Sequence, residues 1–129
     1  MNGVKPVSMP LAEVCDRWTI TQLKLERLPD ENEDRLLHQL AHYSSGIDWT
    51  DQRLMVLMGR LTAINGLMWD AEAAIRAGQD EGLGLEEIGR RALRIRDLNR
   101  ERIEVKNLIC DHAKDGMQDV KVNYAREAA

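Results

Sequence analysis

The apolar residues of this chain recur every three or four positions along most of its length, a period that belongs to helices and not to sheets. Residues 9–28, 31–43, 51–77 and 85–114 each carry it. Ser8 with Pro10 opens the first segment, Pro29-Asp30 breaks the chain after it, and Ser44-Ser45-Gly46 breaks it again. A glycine-rich stretch over 78–84 precedes the last segment, which Gly116 ends. The alternation of β-branched residues that strands require is absent, save a brief Val120-Val122-Tyr124 pattern in the tail. The fold expected is all-α: a single-domain bundle of about four helices over residues 1–115, with 116–129 as a C-terminal tail.

Composition narrows the function. The chain has 129 residues, 43% hydrophobic and 31% charged, which suits one soluble domain with a core of its own. With 18 basic against 22 acidic residues it is no polycation, so nucleic acid is not an expected partner. The longest apolar run, residues 54–58, is far too short to cross a bilayer, and residues 1–10 lack the pattern of a signal peptide. No membrane role is expected, and the cytoplasm is the expected location. Cys15 and Cys110 stand apart and read as reduced core residues. His38 and His42 are four residues apart on the outer side of the second segment, opposite Leu36, Leu37, Leu40 and Tyr43, but no third ligand is fixed nearby. A solvated helix face is the expectation there, with no metal and no cofactor.

Polar residues interrupt the seams that should be apolar. In the third segment Leu54, Leu57, Met58, Leu61, Ile64 and Met68 define one face, and Asn65, Trp69, Glu72 and Arg76 continue it. In the fourth, Ile88, Ala92, Ile95, Asn99, Arg102, Lys106, Ile109 and Ala113 form an unbroken inward line whose middle is Asn-Arg-Lys. The first segment is apolar on two sides, Leu11, Val14, Trp18 and Leu25 on one and Ile20 with Leu23 on the other. A helix of that kind is sandwiched. Asp16 and Arg27 flank its second side, with Thr19 and Lys24 at the margins.

Convergence of these faces would place Asp16, Arg27, Asn65, Glu72, Arg76, Asn99, Arg102 and Lys106 in the interior, with Lys24 near: a polar, cationic inner seam. Burying uncompensated charge costs several kcal/mol per ion, so such a cluster must be paired, hydrated or completed by a ligand. The excess of bases predicts a small anionic ligand, a nucleotide or phosphorylated metabolite, gripped through bidentate arginine contacts with Trp69 offering a flat surface. The competing expectation is a salt-bridge network that serves the fold alone. Gly59, Ala63 and Gly66 share another face of the third segment, where small residues admit a second helix and a homodimer is possible.

Three stretches resemble a small all-helical bacterial and phage family of unknown function. They are Asp16-Arg17-Trp18-Thr19-Ile20 with Lys24 and Arg27; Asn65 with Trp69-Asp70-Ala71-Glu72 and Arg76; and Asn99, Arg102 and Lys106. The similarity spans most of residues 4–113. Departures are Arg100, Ala73 and Ala74 where the family carries acids, and Trp18 where it carries an aliphatic residue. The resemblance implies no chemistry, but it picks out the same residues as the interrupted seams.

Three functions follow as expectations. The first is binding, sequestering or sensing of a small anionic ligand. The second is hydrolysis of a nucleotide or phosphate ester with Asp16 or Glu72 as base, which two carboxylates support poorly because magnesium sites in helical hydrolases need several. The third is an interaction module for protein or nucleic acid, built on residues 90–106 with their seven bases and three acids.

Overall fold

The structure, a computed structural model, describes residues 9–28 and 30–114. It consists of α1 (Leu11–Arg27), α2 (Glu33–Ser44), α3 (Gln52–Asp80) and α4 (Leu85–Ala113), with a single 3₁₀ turn at Asp30–Asn32 leading into α2. The four helices pack as the expected all-α bundle, and the described residues contain no strand. Ser8, Gly116, the tail over 116–129 and its Val120-Val122-Tyr124 pattern lie outside the described residues.

Each boundary has a local cause. Pro10 starts α1 with its carbonyl, which accepts from the N–H groups of Glu13 and Val14 at 3.0 and 3.1 Å. Leu28, with φ −99° and ψ 156°, is extended because the following proline disfavours helical geometry before it. Asp51 caps α3: its carboxylate accepts from the Leu54 N–H at 3.1 Å and its carbonyl from Met55 at 3.0 Å. At the other end Gly82 takes φ 81° and the Leu83 N–H reaches the Gly78 carbonyl at 2.7 Å, the six-to-one bond of a Schellman cap. A side chain at 78 would collide with that cap, since a Cβ there would fall 2.2 Å from Leu83 Cδ1. α4 ends at Lys114, a non-glycine residue with φ 55°.

Helix length decides the packing. α3 and α4 have 29 residues each, about 43 Å, whereas the 17 residues of α1 reach only about 25 Å. His112 against Asp51 and the Arg91 guanidinium on the Ala74 carbonyl set α3 and α4 antiparallel. α1 lies across the half of this hairpin nearer Asp51, where Leu54, Leu57 and Leu61 of α3, Val105 and Ile109 of α4, and Ala12 and Cys15 of α1 form the core. Burial of each large aliphatic side chain contributes about 1.5–3 kcal/mol. Cys15 and Cys110 are both buried and form no disulfide among the described residues.

The two apolar sides of α1 mean what they predicted: one side packs on α3 and α4, the other on α2. Trp18 meets Trp49 edge to face with centroids 5.1 Å apart on that outer side. α2 packs chiefly on α1, so its buried face is narrow. Leu36 is buried, Leu40 and Tyr43 half-buried, and Leu37, expected inside, is exposed at the edge of the stripe. His38 and His42 are exposed. Beyond the end of α1 the α3–α4 hairpin continues as a two-helix arm, and among the described residues between Asn65 and Leu98 only Gly78 is buried.

Candidate functional site

Three helices meet at Asp16, which is 2% exposed. It stands on the inner side of α1 beside the fully enclosed Cys15 and Thr19. Arg102 of α4 clamps its carboxylate from two nitrogens: Nε donates to Oδ1 at 3.0 Å and Nη2 donates to Oδ2. This is the bidentate geometry in which guanidinium and carboxylate match best. The Arg102 Nη1 also donates to Asn99 Oδ1 at 3.2 Å, which holds the guanidinium plane from one turn earlier on its own helix.

Asn65 of α3 completes the junction. Its Nδ2 donates to Asp16 Oδ1 at 3.0 Å and to Thr19 Oγ1 at 2.8 Å. The Thr19 hydroxyl spends its own proton on the Asp16 carbonyl at 2.8 Å. A carboxylate only accepts, and this hydroxyl has no proton left, so the amide must face both with its nitrogen. The amide oxygen therefore points away, and it accepts from no donor among the described residues although Asn65 is only 6% exposed.

Three of the five bases of the seam find partners in the chain. Lys106, 7% exposed, pairs with Glu13 of α1 at 2.5 Å. Arg27 pairs with Asp70 at 2.6 Å and places its guanidinium carbon 5.9 Å from the Trp69 ring centroid. With Arg102 on Asp16, three cations of the expected surplus are thus met by acids, and the net positive charge that pointed to an anion is not found at the junction. Glu13 and Asp70 were the residues a strict seam reading passed over. Asp70 was in plain sight beside Trp69, and Glu13 lies one turn before Asp16, but each sits one position off the apolar line.

Lys24, Glu72 and Arg76 make no ion pair among the described residues. Glu72 and Arg76 are exposed rather than interior, because α1 ends before it could cover them. Lys24 is half-buried on α1. Of the proposed dimer face, Gly59 is open and Ala63 exposed, whereas a Cβ on Gly66 would lie 3.8 Å from the Arg27 guanidinium.

Next to the junction is a cleft of about 270 Å³. Ile20 and Leu23 of α1 form one wall; Asn65, Met68, Trp69 and Glu72 of α3 form the other; Arg102 reaches it from α4. Six of the ten sequence-predicted site residues are thus placed around Asp16 or in the cleft beside it: Asp16, Asn65, Trp69, Glu72, Asn99 and Arg102. Lys106 and Arg27 brace the neighbouring turns, and Lys24 and Arg76 are outside the cleft lining. Among the described residues no cluster of three or more His, Cys, Asp or Glu is placed to hold a metal ion, and no helix is long and apolar enough to cross a membrane. No family model, curated protein or solved structure matches this sequence, so the site is read from its own geometry.

Proposed function

We propose that this chain binds a small organic ligand in the cleft between α1 and α3, beside the Asp16–Arg102 junction. The observation that carries the reading is the Asn65 amide oxygen, an acceptor that meets no donor among the described residues, on a buried side chain that lines the cleft. Buried acceptors are nearly always satisfied, by protein, water or ligand. Around it the cleft offers what small-molecule sites offer, apolar walls from Ile20, Leu23 and Met68, an indole, and a few polar groups that fix orientation. Its volume of about 270 Å³ lies at the small end of ligand pockets, which suits a compact metabolite better than a dinucleotide.

Hydrolysis is the weaker reading. Asp16, one of the two carboxylates expected to act as base, already accepts from Arg102 and Asn65 and is shut off from solvent. Glu72 is left alone. A purely structural junction has a stronger claim, because each polar group around Asp16 except the Asn65 oxygen is engaged.

Ligand-observed NMR with a fragment set of cations, anions and neutral rings tests the proposal. Hits are expected on the wild type and are expected to vanish in Trp69→Ala, which removes one wall. A fragment set with no hit at millimolar concentration, and no ion or metabolite retained in native mass spectrometry, would leave the junction a structural device only.

A further inference from the structure

We infer that the ligand of this cleft is a small organic cation, an ammonium, amidinium or guanidinium group carried on a flat or apolar body. The inference rests on the proposal that the cleft is a binding site, and it reverses the sign of the ligand that the sequence predicts. Three features of the cleft lining favour positive charge and donated protons.

The first is the Asn65 oxygen, which can only accept. Its amide nitrogen donates to an anionic carboxylate, and that polarisation makes the oxygen at the other end a better acceptor. The second is Glu72, a carboxylate at the cleft that no base neutralises among the described residues; Arg76, four residues on, is at helical pairing distance in sequence yet forms no such pair. The third is Trp69, whose ring face attracts cations more strongly than that of Tyr or Phe. The Arg27 guanidinium, 5.9 Å from the same ring, shows a cation already seated against it.

Among the described residues Arg102 is the only base in the lining, and Asp16 engages the Nε–Nη2 edge of its guanidinium. An anion entering here would meet a carboxylate with no described counter-charge and an amide oxygen, and the base beside it already has its charge offset by Asp16. The lining therefore favours a cation over an anion. A ligand with two or more N–H donors can bridge the Asn65 oxygen and the Glu72 carboxylate with its flat body on Trp69.

Isothermal titration with benzamidine, and with benzoate as the isosteric anion, tests this on the full chain. Benzamidine is expected to bind and benzoate to show no heat. Glu72→Gln keeps the shape and removes the charge at an exposed position with no described partner, so the fold is expected to hold, verified by an unchanged thermal midpoint. It is expected to weaken benzamidine at least tenfold. Binding of benzoate in preference to benzamidine would overturn the sign of the ligand while leaving the binding site standing. Equal benzamidine affinity in wild type and Glu72→Gln would also overturn the inference. Binding of neither probe, together with an empty fragment screen, would remove the site itself.

Discussion

Replacing Arg102 by methionine isolates the energetic role of the junction. Methionine keeps the length and the apolar stem and deletes the charge and every donor. Asp16, only 2% exposed, is left with the Asn65 amide nitrogen as its remaining side-chain donor at 3.0 Å. Breaking one partner out of a buried pair costs about 3–5 kcal/mol, because the surviving charge is stranded rather than hydrated. Against a total stability of about 5–15 kcal/mol the variant still folds, but its thermal midpoint is expected to fall by roughly 10–20 °C. With a urea slope near 2 kcal/mol per molar, the midpoint of a denaturation curve is expected to move down by about 2 M. The double variant Asp16→Leu/Arg102→Met removes both charges and is expected to recover most of the loss. A loss under about 1 kcal/mol for the single variant, or a double variant as unstable as the single, would refute the claim that the loss comes from a stranded buried charge.

Two glycines of α3 and its cap are expected to respond in opposite directions. Gly59 has open space around a hypothetical Cβ in mid-helix, so Gly59→Ala is expected to raise stability by about 0.5–1 kcal/mol in urea titration. Gly82 holds φ 81°, so Gly82→Ala is expected to cost about 1–2 kcal/mol in the same assay. The third prediction concerns pH. The His112 ring beside Asp51, with the Leu54 N–H next, holds the Asp51 carboxyl below its ordinary value of 3.8. A depressed carboxyl contributes stability that is complete above its unfolded value and is lost as pH falls through the folded one. Asp51→Ala is therefore expected to lower the midpoint at pH 7 through loss of the helix cap, while the difference from wild type shrinks below about pH 4. A difference that persists unchanged at pH 2 would show that the carboxylate is not the source.

The helices and the placement of the polar junction were legible because both follow from periodicity. Residues 51–77 announce α3 through Leu54, Leu57, Leu61 and Ile64, and the interruption of that line at Asn65 marks the level at which α1 and α4 cross it. The charge balance was not legible. Glu13 and Asp70 neutralise Lys106 and Arg27 from positions just beside the seam, and a 3.6-residue wheel assigns such neighbours to the flank. Long side chains reach across that boundary by several ångströms, so a cation's partner need not share its stripe. The extent of burial was equally hidden. Glu72 and Arg76 lie on the interior face of α3, but whether a face is covered depends on where α1 stops, and Leu28 before Pro29 stops it level with Asp70. Periodicity gives the face of a residue and not the neighbour that covers it.

The cost of a polar junction bears on what the junction is for. An apolar trio at positions 16, 65 and 102 would pack three helices without desolvating a carboxylate and a guanidinium, and such replacements are often neutral or stabilising. Stability alone therefore does not select Asp16, Asn65 and Arg102. Geometry offers a further reason: the bidentate clamp, the Thr19 hydroxyl and the Asp16 oxygen together dictate that the Asn65 amide turns its nitrogen toward Asp16 and Thr19 and its oxygen away from them. Without the Asp16 side chain the amide nitrogen is held by the Thr19 oxygen alone, and the orientation of the amide would be less firmly fixed. The network fixes an acceptor at a site where an unconstrained asparagine would present either a donor or an acceptor. On this argument Asp16→Asn is informative beyond its stability effect. It leaves the steric shape intact but lets the Asn65 amide reverse, so a donor-bearing ligand is expected to bind more weakly in proportion to the reversed fraction. Benzamidine affinity unchanged in a folded Asp16→Asn protein would show that the orientation of Asn65 does not matter to the cleft.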